Sequence, residues 1–199
     1  MKLLLASNNP KKLVELQRLV AGAELGIEVL GLGQVSRYPE PIEDGSTFTE
    51  NALLKARAAL AHTGLPALAD DSGLTVDALN GMPGVLSARW AGPQRSDAAN
   101  NALLLAQLAA VPVARRTAKF VAAVAFVAPA GLEEVRTGEL DGEILPHPRG
   151  AGGFGYDPLF RPRPGARSLA ELSASEKDSL SHRGRALRAL LPVVASYFS

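Results

Sequence analysis

Two adjacent aspartates, Asp70 and Asp71, stand in the stretch ALADDSG, Ala67 to Gly73. They follow a short apolar run suited to a buried strand and precede Ser72 and Gly73. Successive strand residues point to opposite faces. One carboxylate is therefore expected to serve structure and the other a ligand. A carboxylate pair beside Ser72 suits Mg²⁺, a hard cation that takes oxygen ligands and keeps waters. The plainer alternative is a strand-end turn in which one aspartate caps the Gly73 region. Two neighbouring acids repel, and such a turn needs only one of them.

Three further polar clusters interrupt the apolar pattern. Ser7, Asn8, Asn9, Pro10, Lys11 and Lys12 join a strand to a helix start. Backbone N–H groups and the positive end of the helix dipole face an anion there, and Lys12 adds charge. The spacing is not that of a Walker loop, and an Asx turn with an N-cap is the better explanation of this cluster taken alone. Glu43 and Asp44 precede Gly45, with Glu50, Asn51 and Lys55 behind them. Asn51 and Lys55 are four apart and share a helix face, whereas Glu50 already has a capping role. The last cluster begins with Gly152, Gly153, Phe154, Gly155, Tyr156 and Asp157. Such a loop brings backbone close to a flat ligand and stacks a ring on it. Lys177, His182 and Arg183 follow around a helix start. Lys and Arg suit phosphates or carbonyl oxygens, while His182 alone also fits a hydrogen-bonded structural histidine. Together the clusters describe a site for a magnesium nucleoside polyphosphate. No nucleophilic side chain has a base at motif spacing, so water is the expected nucleophile.

The elements that must position these residues follow from periodicity and punctuation. A strand is expected at Lys2 to Ala6, then a helix capped by Asn9 with Pro10 first and Leu13, Leu16 and Val20 on one face. A second strand covers Ile27 to Leu30, and Gly31 to Gly45 is loop. Thr47-Phe-Thr-Glu50 is a capping box that opens a helix carrying Leu53, Ala56 and Leu60, and Gly64 ends it. Pro66 to Ala69 is a short strand delivering the acid pair. Ser96 to Ala110 is helical. Lys119 to Val127 and Glu133 to Leu145 are paired strands joined by the Pro129 to Leu132 turn. Arg161 to Arg167 is the nearest thing to a linker. Ser173 to Tyr197 is helical, with a break expected near Gly184 and Pro192. The alternation of strands and helices, with an antiparallel portion late in the chain, gives an α/β class.

The totals narrow the function. The 199 residues fit one domain, or one domain with two lobes. A formal net charge of +1, with no basic stripe, argues against a nucleic-acid partner. The absence of cysteine excludes disulfides, a thiol nucleophile and thiolate metal sites. No stretch approaches the roughly 18 apolar residues of a membrane helix, and Leu3 to Ala6 is too short for a signal segment. A cytoplasmic protein without membrane contact is the expectation.

Five stretches carry a family resemblance: ASNNPKKLVEL, GSTFTENALLKARAA, ALADDSGLTVDALNGMPGVLSARWAG, GGFGYDPLF and EKDSLSHRGRAL. In this order, nearly end to end, they resemble the inosine triphosphate pyrophosphatases, also called dITP/XTP pyrophosphatases. The resemblance implies an elongated mixed-sheet α/β fold with two lobes around a central nucleotide cleft, formed by one domain over residues 1–199. It implies cleavage of ITP, dITP and XTP between the α and β phosphates, with Mg²⁺, in a homodimer. Carried over by motif, Asp71 is the catalytic acid, described as proton acceptor and metal ligand. Ser7 to Lys12 form the substrate loop, with Lys12 on the phosphates, and Ser72 lies beside the triphosphate. Phe154, Gly155, Tyr156 and Asp157 meet the base, and Lys177, His182 and Arg183 are late substrate contacts. His182 and Arg183 are the candidates for reading the 6-oxo group. Two positions depart from the family pattern. Lys11 stands where a glycine is usual, and Ile42 where many members carry a metal-binding acid, which leaves Glu43 or Asp44 as the substitute. Rival readings are a related pyrophosphatase with another base preference, or a nucleotide-binding regulator without catalysis. The presence of Asp71 weighs against the second.

Overall fold

The computed structural model describes all 199 residues. The strands are β1 (Lys2–Leu5), β2 (Glu28–Gly31), β3 (Ala67–Val76), β4 (Thr117–Ala128), β5 (Leu132–Ile144) and β6 (Phe160–Pro162). The helices are α1 (Pro10–Gly22), α2 (Phe48–Thr63), α3 (Asp97–Gln107), α4 (Ala174–Leu180) and α5 (His182–Phe198). One sheet has the order β2-β1-β3-β4-β5-β6. β1 runs parallel to β2 and β3, with Leu4 opposite Leu30 and Ala67. β6 is antiparallel to β5, with Phe160 opposite Ile144. The fold is mixed α/β, as the element order predicts.

The chain forms two compact units. The first comprises Met1–Asp71, Ala122–Gly138 and Arg183–Ser199, and the second Ser72–Val121 and Glu139–His182. The first boundary falls inside β3, between the second aspartate and Ser72.

In the first unit the sheet is buried on both faces, which explains its nearly continuous apolar strands. Leu3, Leu5, Leu68, Val124 and Phe126 enter one core with Leu16 and Val20 of α1 and Ala186, Leu187, Leu190 and Val194 of α5. Leu4, Ala6, Ala67, Ala69, Ala123, Ala125 and Val127 enter another with Ala52, Ala56 and Ala59 of α2. Strict alternation therefore decides where each β3 side chain goes. Leu68 faces α1 and α5, and Ala69 faces α2. The rule extends one step in each direction to Asp70 and Asp71. The second unit has its own core, built from Leu74, Val76, Leu104, Leu108, Leu140, Ile144, Leu159, Phe160 and Leu169.

The caps form as the sequence requires. The Asn9 side chain accepts from the Lys11 N–H at 2.9 Å, with Pro10 at the first helical position. Thr47 Oγ1 accepts from the Glu50 N–H at 3.1 Å, and the Glu50 carboxylate accepts from the Thr47 N–H at 3.2 Å. Replacing Thr47 with Ala removes one arm of this box, worth about 1 kcal/mol. The expected result is a melting temperature lower by about 2–4 °C. An unchanged thermal midpoint would show that α2 is held by its packed alanines alone.

Three expectations need correction. The strand expected to end at Ala69 continues to Val76, so the aspartates lie within β3 and not at its end. Its second half is apolar again at Leu74 and Val76, which pack in the other unit's core. The segment from Arg161 is not wholly linker, because Phe160 to Pro162 form the edge strand β6, where proline needs no ladder donor. The late helical break falls at Ser181, between α4 and α5. Gly184 and Pro192 both lie inside α5. Burial of Ala186, Leu187, Leu190 and Val194 along one face outweighs their weak helical preference.

Candidate active site

Asp71 points toward α2. Its Oδ1 lies 3.0 Å from Lys55 Nζ, and its Oδ2 accepts from Asn51 Nδ2 at 3.3 Å. Lys55 Nζ also lies 3.1 Å from Glu43 Oε1. One ammonium thus draws together two carboxylates from different parts of the chain. Asn51 is fully buried, and its Oδ1 accepts from the Gly45 N–H at 2.9 Å. This bond ties the segment carrying Glu43 to α2. A Cβ at Gly45 would come within 2.6 Å of Asn51 Oδ1, so the approach requires glycine. Burial raises the Asp71 carboxyl above the ordinary range, and the opposing pull of Lys55 does not fully offset it. Burial disfavours the Lys55 ammonium, but Asp71 and Glu43 outweigh it and hold its pKa above the ordinary value.

Asp70 points the other way, toward α1 and α5. Its Oδ2 lies 2.7 Å from Lys12 Nζ and 2.9 Å from Arg183 Nε. Glu15 of α1 lies 3.6 Å from Arg183 Nη1. The side chain of Asp70 is 3% exposed, and its Oδ1 is buried with no hydrogen-bond partner. Burial alone would raise this carboxyl, but Lys12 and Arg183 hold it well below the usual range. Lys12 shifts downward because burial, seconded by Arg183, outweighs the attraction of Asp70. The carboxylate therefore keeps two largely buried cations in place.

The second unit contributes the glycine loop. Asp157 Oδ2 accepts from the Phe154 N–H at 2.8 Å and pairs with Lys177 Nζ. A Cβ at Gly153, where φ is +76°, would lie 2.1 Å from that same oxygen. Lys177 Nζ also lies 4.6 Å from the centre of the Phe154 ring, which is 48% exposed. Tyr156 is buried, and its hydroxyl donates to the Ser87 carbonyl at 2.8 Å. The Gly155 N–H donates to Asp97 Oδ2 at 2.6 Å, and its carbonyl accepts from Asn101 Nδ2 at 2.9 Å. His182 stacks on Phe120 with ring centres 5.2 Å apart.

The model of the Ham1 family matches residues 3–193. This chain belongs to the Ham1 family. It is 60% identical to a dITP/XTP pyrophosphatase of Corynebacterium efficiens, over 98% of each chain. It is 59% identical to one from Mycobacterium bovis, over 98% of this chain and 96% of the relative. A crystal structure of a nucleoside-triphosphatase, dITP/XTP pyrophosphatase, from Mycobacterium abscessus superposes with a TM-score of 0.84 at 56% identity. It covers 98% of this chain and 100% of that one. The Ham1 protein of Staphylococcus aureus superposes with a TM-score of 0.90 at 36% identity, covering 99% and 100% respectively.

Within this Ham1 chain the expected residues fall into separate groups. Lys12 and Arg183 converge on Asp70, and Glu43 reaches Asp71 through Lys55. Ser7 Oγ accepts from the Asn9 N–H at 3.2 Å, and Asn8 Nδ2 donates to Glu40, so both shape the loop before α1. Lys11 lies on the exposed surface of α1. Ile42, at the position where the family often has an acid, is 82% exposed. Phe154, Gly155, Tyr156, Asp157 and Lys177 form one cluster in the second unit, to which Ser72 and His182 also belong. Lys55 and Asn51 were legible as one helix face, but nothing in their spacing assigned them to Asp71. Glu15 lies outside the expected set, and its only signal is its place three residues after Lys12 on the same helix. Asp97 and Asn101 lie 58 and 54 residues from Gly155 and carried no local signal.

The donor set fits a magnesium ion. Asp71 and Glu43 supply hard carboxylate oxygens to one cationic position, and no three Asp, Glu or His side chains converge as a cage. Mg²⁺ is typically held by one or two carboxylates, completing its shell with waters and substrate phosphates.

Proposed function

We propose that this chain hydrolyses dITP, XTP and ITP between the α and β phosphates, releasing the nucleoside monophosphate and pyrophosphate. The observation that carries the reading is the pairing of Asp71 and Glu43 on Lys55, in a Ham1 chain whose relatives are named dITP/XTP pyrophosphatases. Asp71 and Glu43 would hold Mg²⁺, which supplies charge neutralisation to phosphate oxygens.

Water is the nucleophile. Its oxygen forms a bond to the α phosphorus, the bond from that phosphorus to the bridging oxygen breaks, and the electron pair leaves with pyrophosphate. Asp71 orients the water and takes its proton. A carboxylate whose pKa is raised by burial is the better proton acceptor. Lys12, Lys55 and the amides at the start of α1 meet the charge on the phosphates. Phe154 offers a ring for stacking, while His182 and Arg183 remain the proposed readers of the 6-oxo group. A donor aimed at O6 opposes another donor in adenine, and each such unpaired buried group costs about 1–3 kcal/mol. A cytoplasmic homodimer belongs to the same proposal, following the resemblance.

The test is pyrophosphate release from dITP and XTP beside dATP and dGTP, with and without Mg²⁺. Rapid, Mg²⁺-dependent release from the first pair alone is the expected result. No release from any of the four, with tight nucleotide binding retained, would replace the reading by that of a nucleotide-binding regulator.

A further inference from the structure

Gly155 is held on both sides of its peptide by one helix. Asp97 and Asn101 are four residues apart, so they project from one face of α3. The first accepts the Gly155 N–H at 2.6 Å, and the second donates to the Gly155 carbonyl at 2.9 Å. Gly155 has a φ of +60°, a left-handed conformation that glycine adopts at little cost. Its neighbours are the half-exposed Phe154 ring and the anchored Tyr156. Asp97 stands in the first turn of α3, where the helix dipole favours a negative charge. Its bond to an amide is charge-assisted and short. Asn101 Oδ1 is buried with no hydrogen-bond partner, which fixes the functional half of this amide as its donor.

We propose that Asp97 and Asn101 are positioning residues for base selection, acting through the Gly155 peptide to set the angle of the Phe154 ring. This deepens the proposed function and rests on it. The remaining bonds of the loop do not remove the need for such a mount. Asp157 closes the turn locally through the Phe154 N–H, and Lys177 of α4 pairs with the same carboxylate. Ala170 and Lys177 hold the two ends of the loop through Gly152 and Asp157, and the Tyr156 hydroxyl anchors the following residue, while the α3 bonds grip the Gly155 peptide beside the Phe154 ring. Release of Gly155 lets the ring tilt while the reacting phosphates are handled by other residues.

The test compares Asp97→Ala, Asp97→Asn and Asn101→Leu. Steady-state kinetics with dITP and dGTP are paired with hydrogen exchange of residues 152–157. In Asp97→Ala the expected result is a KM for dITP raised about tenfold, a kcat within about threefold, and a dITP-over-dGTP preference reduced about tenfold. Exchange of the loop amides rises in parallel. Asp97→Asn keeps an oxygen for the Gly155 N–H and restores most of the preference. Asn101→Leu loosens the loop without lowering the melting temperature, because the apolar side chain also removes an unpaired buried acceptor. Unchanged loop exchange in both Asp97→Ala and Asn101→Leu would overturn the clamp, whatever the activity. Equal losses for both nucleotides would overturn its part in selection. A wild-type protein inactive on every nucleotide would instead refute the function reading, and loop exchange would still decide the clamp.

Discussion

Replacing Asp71 with Asn is expected to reduce kcat for dITP by about 10³-fold, within the usual range for loss of a positioned proton acceptor. Stability is expected to move little, or upward. Asp71 is a carboxylate whose folded pKa is raised by burial. Ionised at neutral pH, such a group opposes folding, because the native state would bind the proton more tightly than the unfolded chain does. Asparagine removes that charge and keeps an oxygen for Lys55, which still has Glu43 at 3.1 Å. Melting temperatures measured in chelator should therefore match those of the wild type or exceed them, as at other sites where function is held against stability. Wild-type turnover in the variant would remove Asp71 from the chemistry. A large fall in melting temperature would make it a structural residue.

The sequence was most informative where one local rule decided the outcome. Asn9 before Pro10 and Thr47 before Glu50 specified two helix starts, because capping is settled within four residues. The alternation rule separates Asp70 from Asp71 without reference to any partner. It could not name the partners, because they come from α1, α2 and α5 and are set by packing. The length of β3 is not legible in this way, because Asp70 to Gly73 resembles a strand end unless the cores on either side are known. The same applies to Gly184 and Pro192, whose local cost is outweighed by the apolar face of α5. The candidate site was legible as a set of residue types, and the family resemblance assigned their roles. The division of labour within it was not legible. Lys55 spans two carboxylates, Asp70 gathers two cations and α3 holds Gly155, and each contact joins residues distant in sequence.

Replacing Asp70 with Asn should cost stability, unlike the same change one residue later. Asp70 Oδ2 is the shared anion of Lys12 and Arg183, both largely buried. Removing one member of a buried ionic group strands the others and typically costs about 3–5 kcal/mol. The lower end applies here, because Lys12 is already pushed downward by burial and can give up its proton, and because Glu15 stays beside Arg183. A loss of about 3 kcal/mol lowers the melting temperature by about 10 °C in a chain of this size. The pH dependence gives a sharper check. Asp70 has a folded pKa held below its unfolded value by Lys12 and Arg183, against the penalty of burial. Its contribution is thus complete above the ordinary aspartate value of about 3.9 and fades as pH falls through the lower folded value. The difference in urea midpoint between wild type and Asp70→Asn should be flat between about pH 5 and 7 and should narrow below about pH 4. A gap that widens in acid, or a variant as stable as Asp71→Asn at pH 7, would mean that the two cations are held by something other than Asp70.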